Sequence, residues 1–446
     1  MEGCADQIDL AQCRADQLID LVIDLAVAKN SQRLRDRSGA RVPPRLRLSD
    51  TGPALAACAQ CHPLYALSEP SGRAHATVAL RRFQSKPSRQ LTTIMKPQYS
   101  LRVLVSGLLT SVLLAGTAAL PAAEQQPIKL VGAGATFPAP LYLRWTTSYH
   151  RAHPKVYPDY QAIGSGGGIK DLIGGRVDFA GTDIRMTDAE VAQVDGGVVQ
   201  LPMAVGAIVL VYNLDGVDPL KLSRDAVTGI FSGSIERWND PIIAATNPDA
   251  ALPDRPITVV TRVGASGTSY TLTEHLGITS RAFAEAVVSS LSPTWPQALQ
   301  QRGGLVKAGG NDGVAATVRA IPGSIGYVQY AFAYLTSMKM AMLENQSGQM
   351  VAPNEASFAA AIANISEQPG VQALRDPPGD ESYPIIGISW LSLRRHYDDP
   401  AKLPALIDLM EYALGPGQRD VAALGYIPYS AEGIAYVQSL LDGLKQ

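Results

Sequence analysis

The chain has 446 residues, about three times the ~150 of an average domain, so more than one globular unit is expected. Its 46% apolar and 17% charged content excludes a disordered chain. The 38 basic and 40 acidic residues leave net −2, and without an overall positive field a nucleic-acid partner is disfavoured.

Residues 1–94 differ in kind from the rest. They hold all four cysteines (Cys4, Cys13, Cys58, Cys61) and 13 basic against 9 acidic residues, net +4. Cys58-Ala59-Gln60-Cys61-His62 matches the C-x-x-C-H pattern of c-type haem attachment, in which two thiols form thioethers and the imidazole ligates iron. Its Arg-, Ser- and Ala-rich flanks show no sustained helical face, and an accidental reading frame yields the same five residues. From Met95 the chain reads as a secretory signal over 95–123. A short basic start with Lys96 and Arg102 leads into the 12-residue apolar run 103–114, and a small-residue exit allows cleavage after Ala122 or Ala123. The run is too short to cross a ~30 Å hydrocarbon core comfortably. Such a signal normally sits at the initiator, so translation is expected to start at Met95, with 1–94 outside the natural protein or unstructured. Residues 124–446 carry 23 basic and 31 acidic residues, net −8, and no cysteine. Neither a disulfide framework nor a lipid on an N-terminal cysteine is then available, and a soluble exported protein is expected.

Beyond 124, short apolar runs alternate with helical patterns. A strand is predicted at 128–131, a helix at 140–150, a strand at 160–163, a helix at 169–173 and a strand at 177–180. Two buried strands follow at 207–212 and 257–261, with helices opening at 223–227 and covering 241–245 between them. A strand at 385–390 and an amphipathic helix at 403–414 come last. The succession argues for an α/β fold of open sheets with crossover helices. Trp145, Trp238, Trp295 and Trp390 read as core or cleft-edge packing, and 374–383 as a polar surface loop.

Three segments repeat one construction: a strand, a loop of Gly, Ala, Ser and Thr, and a helix start. They are Gly132 to Pro138, Gly164 to Gly168 and Arg262 to Ser269. A helix start leaves backbone N–H groups unpaired at the positive end of its dipole, and glycines let the backbone approach an anion. Thr136, Ser165, Ser266 and Thr268 add uncharged donors, and Arg262 can hold two oxyanion oxygens at once. A chain of net −8 cannot gather anions by its long-range field, so such binding is short-range. Asp183 has two readings. If it faces the site, its carboxylate repels a fully ionised anion and accepts a hydrogen bond from one still carrying a proton, as hydrogen phosphate does and sulfate does not. Otherwise it caps the helix starting near Thr187.

The motifs GAGATFPAP (132–140), IGSGGGIK (163–170), VDFAGTD (177–183), SGT (266–268) behind Arg262, and GNDGVAATVRAIPGSIGYVQYAFA (310–333) together resemble the phosphate-binding proteins of bacterial high-affinity phosphate ABC importers. The likeness runs from about Ile128 to the C-terminus. It implies a two-lobed periplasmic binding protein fold with hinge crossings near 203–206 and 384–387. One lobe is expected over 124–206 and 385–446, the other over 207–384. It further implies phosphate held by Thr136, Phe137, Ser165, Asp183, Arg262, Ser266, Gly267 and Thr268, in a monomeric periplasmic protein that delivers to membrane permease subunits without cofactor, metal or catalysis. Two positions depart from the pattern: Gly166 stands where similar proteins usually have a second serine, and Gly264 where they usually have an aspartate. Arsenate, which is also protonated, is the rival ligand; a phosphoester-hydrolysing enzyme and a scaffolding protein on the same fold are the rival functions. His150 and His153, three apart on one helix, are read as a surface pair with zinc as the alternative.

Overall fold

The computed structural model describes residues 126–364 and 371–445. The extension 1–94, the signal segment 95–123 and the Cys58/Cys61/His62 motif lie outside the described residues. The strands are β1 (Ile128–Gly134), β2 (Val156–Ala162), β3 (Phe179–Thr182), β4 (Val198–Tyr212), β5 (Lys221–Leu222), β6 (Thr258–Arg262), β7 (Leu305–Ala308), β8 (Ser324–Gln329), β9 (Met342–Glu344), β10 (Met350–Val351) and β11 (Ile386–Arg394). Eight form a mixed sheet in the order β2-β1-β3-β11-β4-β8-β6-β7, and β10-β9-β5 form a small separate one.

β4 organises the molecule. Its 15 residues are apolar nearly throughout and only Gln200 is not fully buried, as expected of a strand covered on both faces. At ~3.3 Å per residue it runs roughly 50 Å. Residues 198–207 pair antiparallel with β11, whereas 208–212 pair antiparallel with β8. The strand therefore serves two halves, one with β1, β2 and β3 in parallel, the other with β6, β7 and β8 in parallel. Opposite Ser389 and Trp390 the register jumps from Ala204 to Pro202, leaving Met203 as a bulge. A proline is tolerated there because the ladder is already interrupted.

Most predicted elements overlap observed ones, and the differences have physical causes. The strand expected at 160–163 is Val156–Ala162, an edge strand whose open side accommodates Pro158. The strand expected at 177–180 begins at Phe179: Asp178 N donates to Val131 O at 2.7 Å, but Val131 N–H donates to the Asp178 carboxylate, Oδ2 at 2.8 Å, in place of a backbone carbonyl, and Oδ1 pairs with Lys402 at 2.8 Å. All four tryptophans are core residues. Segment 374–383 is not the surface loop expected, since Leu374, Arg375, Asp376, Ser382 and Tyr383 are buried. Its charges are buried because they are paired. Arg375 Nε lies 2.8 Å from Glu274 Oε2 and Nη1 donates to Ile386 O at 2.8 Å, while Asp376 takes both guanidinium ends of Arg224 at 2.9 and 2.8 Å. His150 Nδ1 lies 2.7 Å from Val156 O, and His153 stacks on Tyr149 with Nδ1 3.5 Å from Asp408.

Candidate functional site

Four strand-to-helix junctions meet where the two halves face each other. β1 leads through Thr136 and Phe137 to the helix Ala139–Ala152, and β2 through Gly164 to the helix Ser165–Ile173. β6 ends in Arg262 and leads to the helix Gly267–Thr279, whose start is capped by Ser266 Oγ accepting from Ser269 N at 3.2 Å. β7 leads through Gly309 to the helix Gly310–Ala320. The first three helices have no acidic residue in their first turn, so nothing of their own neutralises the positive ends of their dipoles.

Hydrogen bonds join the junctions across the two halves. Ser165 Oγ accepts from Asp183 N at 3.2 Å and from Gly267 N at 3.3 Å. Gly166 N donates to Ala265 O at 3.2 Å, and a Cβ at 166 would lie 2.3 Å from Ala265 Cβ, so glycine here permits the close approach. Thr136 Oγ1 accepts from Asn311 N at 3.3 Å and from Asn311 Nδ2 at 2.8 Å. Thr268 Oγ1 accepts from Asn311 Nδ2 at 3.3 Å and from Arg262 Nη1 at 3.5 Å. The Phe137 ring packs under the paired glycines Gly206 and Gly387 where β4 crosses β11, and its carbonyl accepts from Tyr426 OH at 2.6 Å.

Thr136, Phe137, Ser165, Asp183, Arg262, Ser266, Gly267 and Thr268 are all buried. Asp183 packs so tightly on Gly267 that a Cβ there would lie 2.3 Å from its own. Its capping alternative does not hold: Thr187 caps the helix at Asp188–Val191 in a capping box with Glu190. Asp183 Oδ1 and Arg262 Nε are buried with no hydrogen-bond partner in the protein. Burial pushes the Asp183 carboxyl up to about 7, against the opposing pull of the Ser389 hydroxyl, the Arg262 and Arg375 guanidinium groups and Ser165. Burial also lowers Arg262 from its ordinary value, partly offset by Tyr327, Asp183 and Asp312. The site is thus a set of N–H and O–H donors with one guanidinium and a single carboxyl able to accept, a composition suited to a small oxyanion that carries a proton.

The sequence alone assigns no role to Asn311 or Arg375. Asn311 stands within the 310–333 motif yet lacks a strand-loop signal, because β7 is only four residues long and half-exposed. Gly264 has φ 78 and nothing within 4 Å of a would-be Cβ, so its surroundings are open while its backbone favours glycine.

The chain matches a family model described as a PBP superfamily domain over residues 120–416. It is 37% identical over 315 residues to the phosphate-binding protein PstS of Pasteurella multocida, an alignment covering 70% of this chain and 89% of that protein. It is 35% identical over 314 residues to PstS of Xylella fastidiosa, covering 69% and 84%. In fold it is similar to a high affinity periplasmic phosphate-binding protein, PfluDING, solved with phosphate bound at pH 8.5, with TM-score 0.57, 23% identity and coverage of 70% of this chain and 93% of that one. The chain therefore belongs to the PstS phosphate-binding protein family and has its two-lobed periplasmic binding protein fold.

Proposed function

We propose that this chain captures inorganic phosphate between its two lobes and delivers it to the permease subunits of an ABC importer. The observation that carries this is Asp183: one buried carboxyl with an unpartnered oxygen, set among hydroxyls whose acceptor sides are taken by N–H groups of the protein. Hydrogen phosphate satisfies both kinds of group. Its oxygens accept from the Thr136, Ser165, Ser266 and Thr268 hydroxyls, from the backbone N–H of Phe137, from Arg262, and from Gly267 N–H, which is shared with Ser165 Oγ at 3.3 Å, while its P–OH donates to Asp183. Sulfate offers no proton at neutral pH and would set its charge against that carboxylate. Because the donors come from both halves, the ligand stabilises the closed arrangement. The lobes are taken as 124–206 with 385–446, and 207–384, moving about the crossings at 203–206 and 384–387.

The setting follows from the same reading: a monomer in the periplasm after removal of 95–123, binding without cofactor and without catalysis. Calorimetric titration of the purified protein with phosphate, arsenate, sulfate and molybdate, together with thermal shifts, tests the proposal. Phosphate should bind and stabilise, arsenate should follow because it is protonated, and sulfate should do neither. Absence of a phosphate response would overturn the reading in favour of a scaffolding role, and turnover of a phosphoester would overturn it in favour of an enzyme.

A further inference from the structure

A hydroxyl has two acceptor positions and one proton to give. At Thr136 both acceptor positions are filled by Asn311, from its backbone N–H at 3.3 Å and its Nδ2 at 2.8 Å. At Thr268 they are filled by Asn311 Nδ2 at 3.3 Å and Arg262 Nη1 at 3.5 Å. The direction of the Asn311 amide is fixed independently. Gln329 N–H, which can only donate, lies 2.9 Å from its other terminal atom, so that atom is Oδ1 and Nδ2 faces the threonines. Neither threonine hydroxyl has a protein acceptor among the described residues, so each proton is left for a ligand. Asn311 is fully buried and takes part in both halves' hydrogen bonding at once.

We infer that Asn311 is a positioning residue that compels the Thr136 and Thr268 hydroxyls to donate, and so sets the preference of the cage for an acceptor-rich ligand. This rests on the phosphate reading above. Asn311 need not touch the ligand. Its amide determines which way two hydroxyls point, and it does so from the second half of the sheet toward a threonine of the first. Its own carbonyl is engaged by Gln329, whose Oε1 accepts from Ala331 N at 2.8 Å, so the amide cannot turn over without breaking a buried bond.

The test compares Asn311→Asp with Asn311→Ala by phosphate titration of the full chain at pH 8 and pH 5. The aspartate keeps the shape and the Gln329 bond, but it presents an acceptor where Nδ2 donated, which turns both hydroxyl protons away from the ligand. Alanine merely removes the donor. Losses of about 100-fold for Asn311→Asp and about 10-fold for Asn311→Ala are expected at pH 8, since hydrogen bonds to charged groups are the strong ones. The new carboxylate also repels the anion directly, so the order of the two variants is required by the inference but does not prove it, and the cycle with Thr268→Val separates hydroxyl orientation from charge and packing. At pH 5 the introduced carboxyl regains a proton to donate and the ratio between the variants should shrink. The charged groups around it are Arg262, bonded to the same Thr268, with Asp312 and Asp183, which both interact electrostatically with Arg262. The titration of free phosphate is common to both variants and cancels in the ratio, whereas a carboxylate at 311 adds a like charge that raises Asp183 further in that variant alone. A cycle free of added charge decides, whether or not Asn311→Asp folds: Thr268→Val should weaken binding about 10-fold in the unaltered chain but less than about 3-fold beside Asn311→Ala. Phosphate binding by the unaltered chain, with Asn311→Asp no weaker than Asn311→Ala or with an additive cycle, overturns the inference alone. Failure of the unaltered chain to bind phosphate overturns the ligand reading and the inference with it.

Discussion

Asp183→Asn removes one charge from the cage and keeps its shape, and the unliganded protein should become more stable for it at alkaline pH. The displacement of the carboxyl from 3.8 to about 7 is caused first by burial. It corresponds to roughly 4 kcal/mol of preference for the protonated form in the folded chain. Between those two values the folded chain holds a proton that the unfolded chain has released, so stability falls as pH rises through the interval and levels off above about 7. The asparagine variant lacks that titration. Relative to the unaltered chain it should gain up to roughly 4 kcal/mol at pH 8, less whatever its buried amide loses for want of partners, and nothing near pH 4. Urea unfolding of both proteins across this range, in phosphate-free buffer, reads the difference directly. Other carboxylates titrate in both and drop out. A stability difference that stays constant with pH would refute the argument that Asp183 is a carboxyl held in an unfavourable setting. Added phosphate should close much of the gap at pH 8, since its P–OH supplies the hydrogen bond that Asp183 Oδ1 lacks in the protein.

Three more outcomes can be measured. Sulfate, excluded by the unaltered protein at pH 8, should bind measurably to Asp183→Asn, and to the unaltered protein progressively below about pH 7 as the carboxyl gains a proton; exclusion unchanged in the variant by calorimetry would count against Asp183 as the discriminating group. Gly166→Ser places a Cβ 2.3 Å from that of Ala265 and should weaken phosphate binding by about 1–3 kcal/mol through overpacking, with Ala265→Gly in the same chain restoring it, and titration showing no such restoration would contradict the close interlobe approach. Arg375→Met leaves Glu274 without its buried partner and should cost about 3–5 kcal/mol in urea unfolding. It should also move the Asp183-dependent stability change to higher pH, because a positive charge that favours the carboxylate has been lost.

Much of the site was legible because its signals are local. A strand running into Gly132 to Pro138, Gly164 to Gly168 or Arg262 to Ser269 announces a helix start, and each such start delivers its hydroxyl or guanidinium to the same place. Features made by distant partners were not legible. Only the second part of β4 read as a strand, since Pro202 and Gly206 break the pattern of 198–206, and the bulge that excuses Pro202 is a property of its pairing with β11. Arg375 and Asp376 read as solvated because nothing nearby neutralises them; Glu274 and Arg224, which do, lie more than 100 residues away in sequence. Asn311 has the same history, with its meaning carried by Thr136, 175 residues earlier.

The reliance of the cage on hydroxyls, amides and one guanidinium bears on unloading as much as on capture. Dipolar attraction fades within a few ångströms, whereas attraction between net charges persists over a Debye length of ~8 Å. On the phosphate reading proposed above, an oxyanion gripped this way loses most of its hold once the donors of the two halves separate, and the single charge of Arg262 is all that then acts on it over a longer distance.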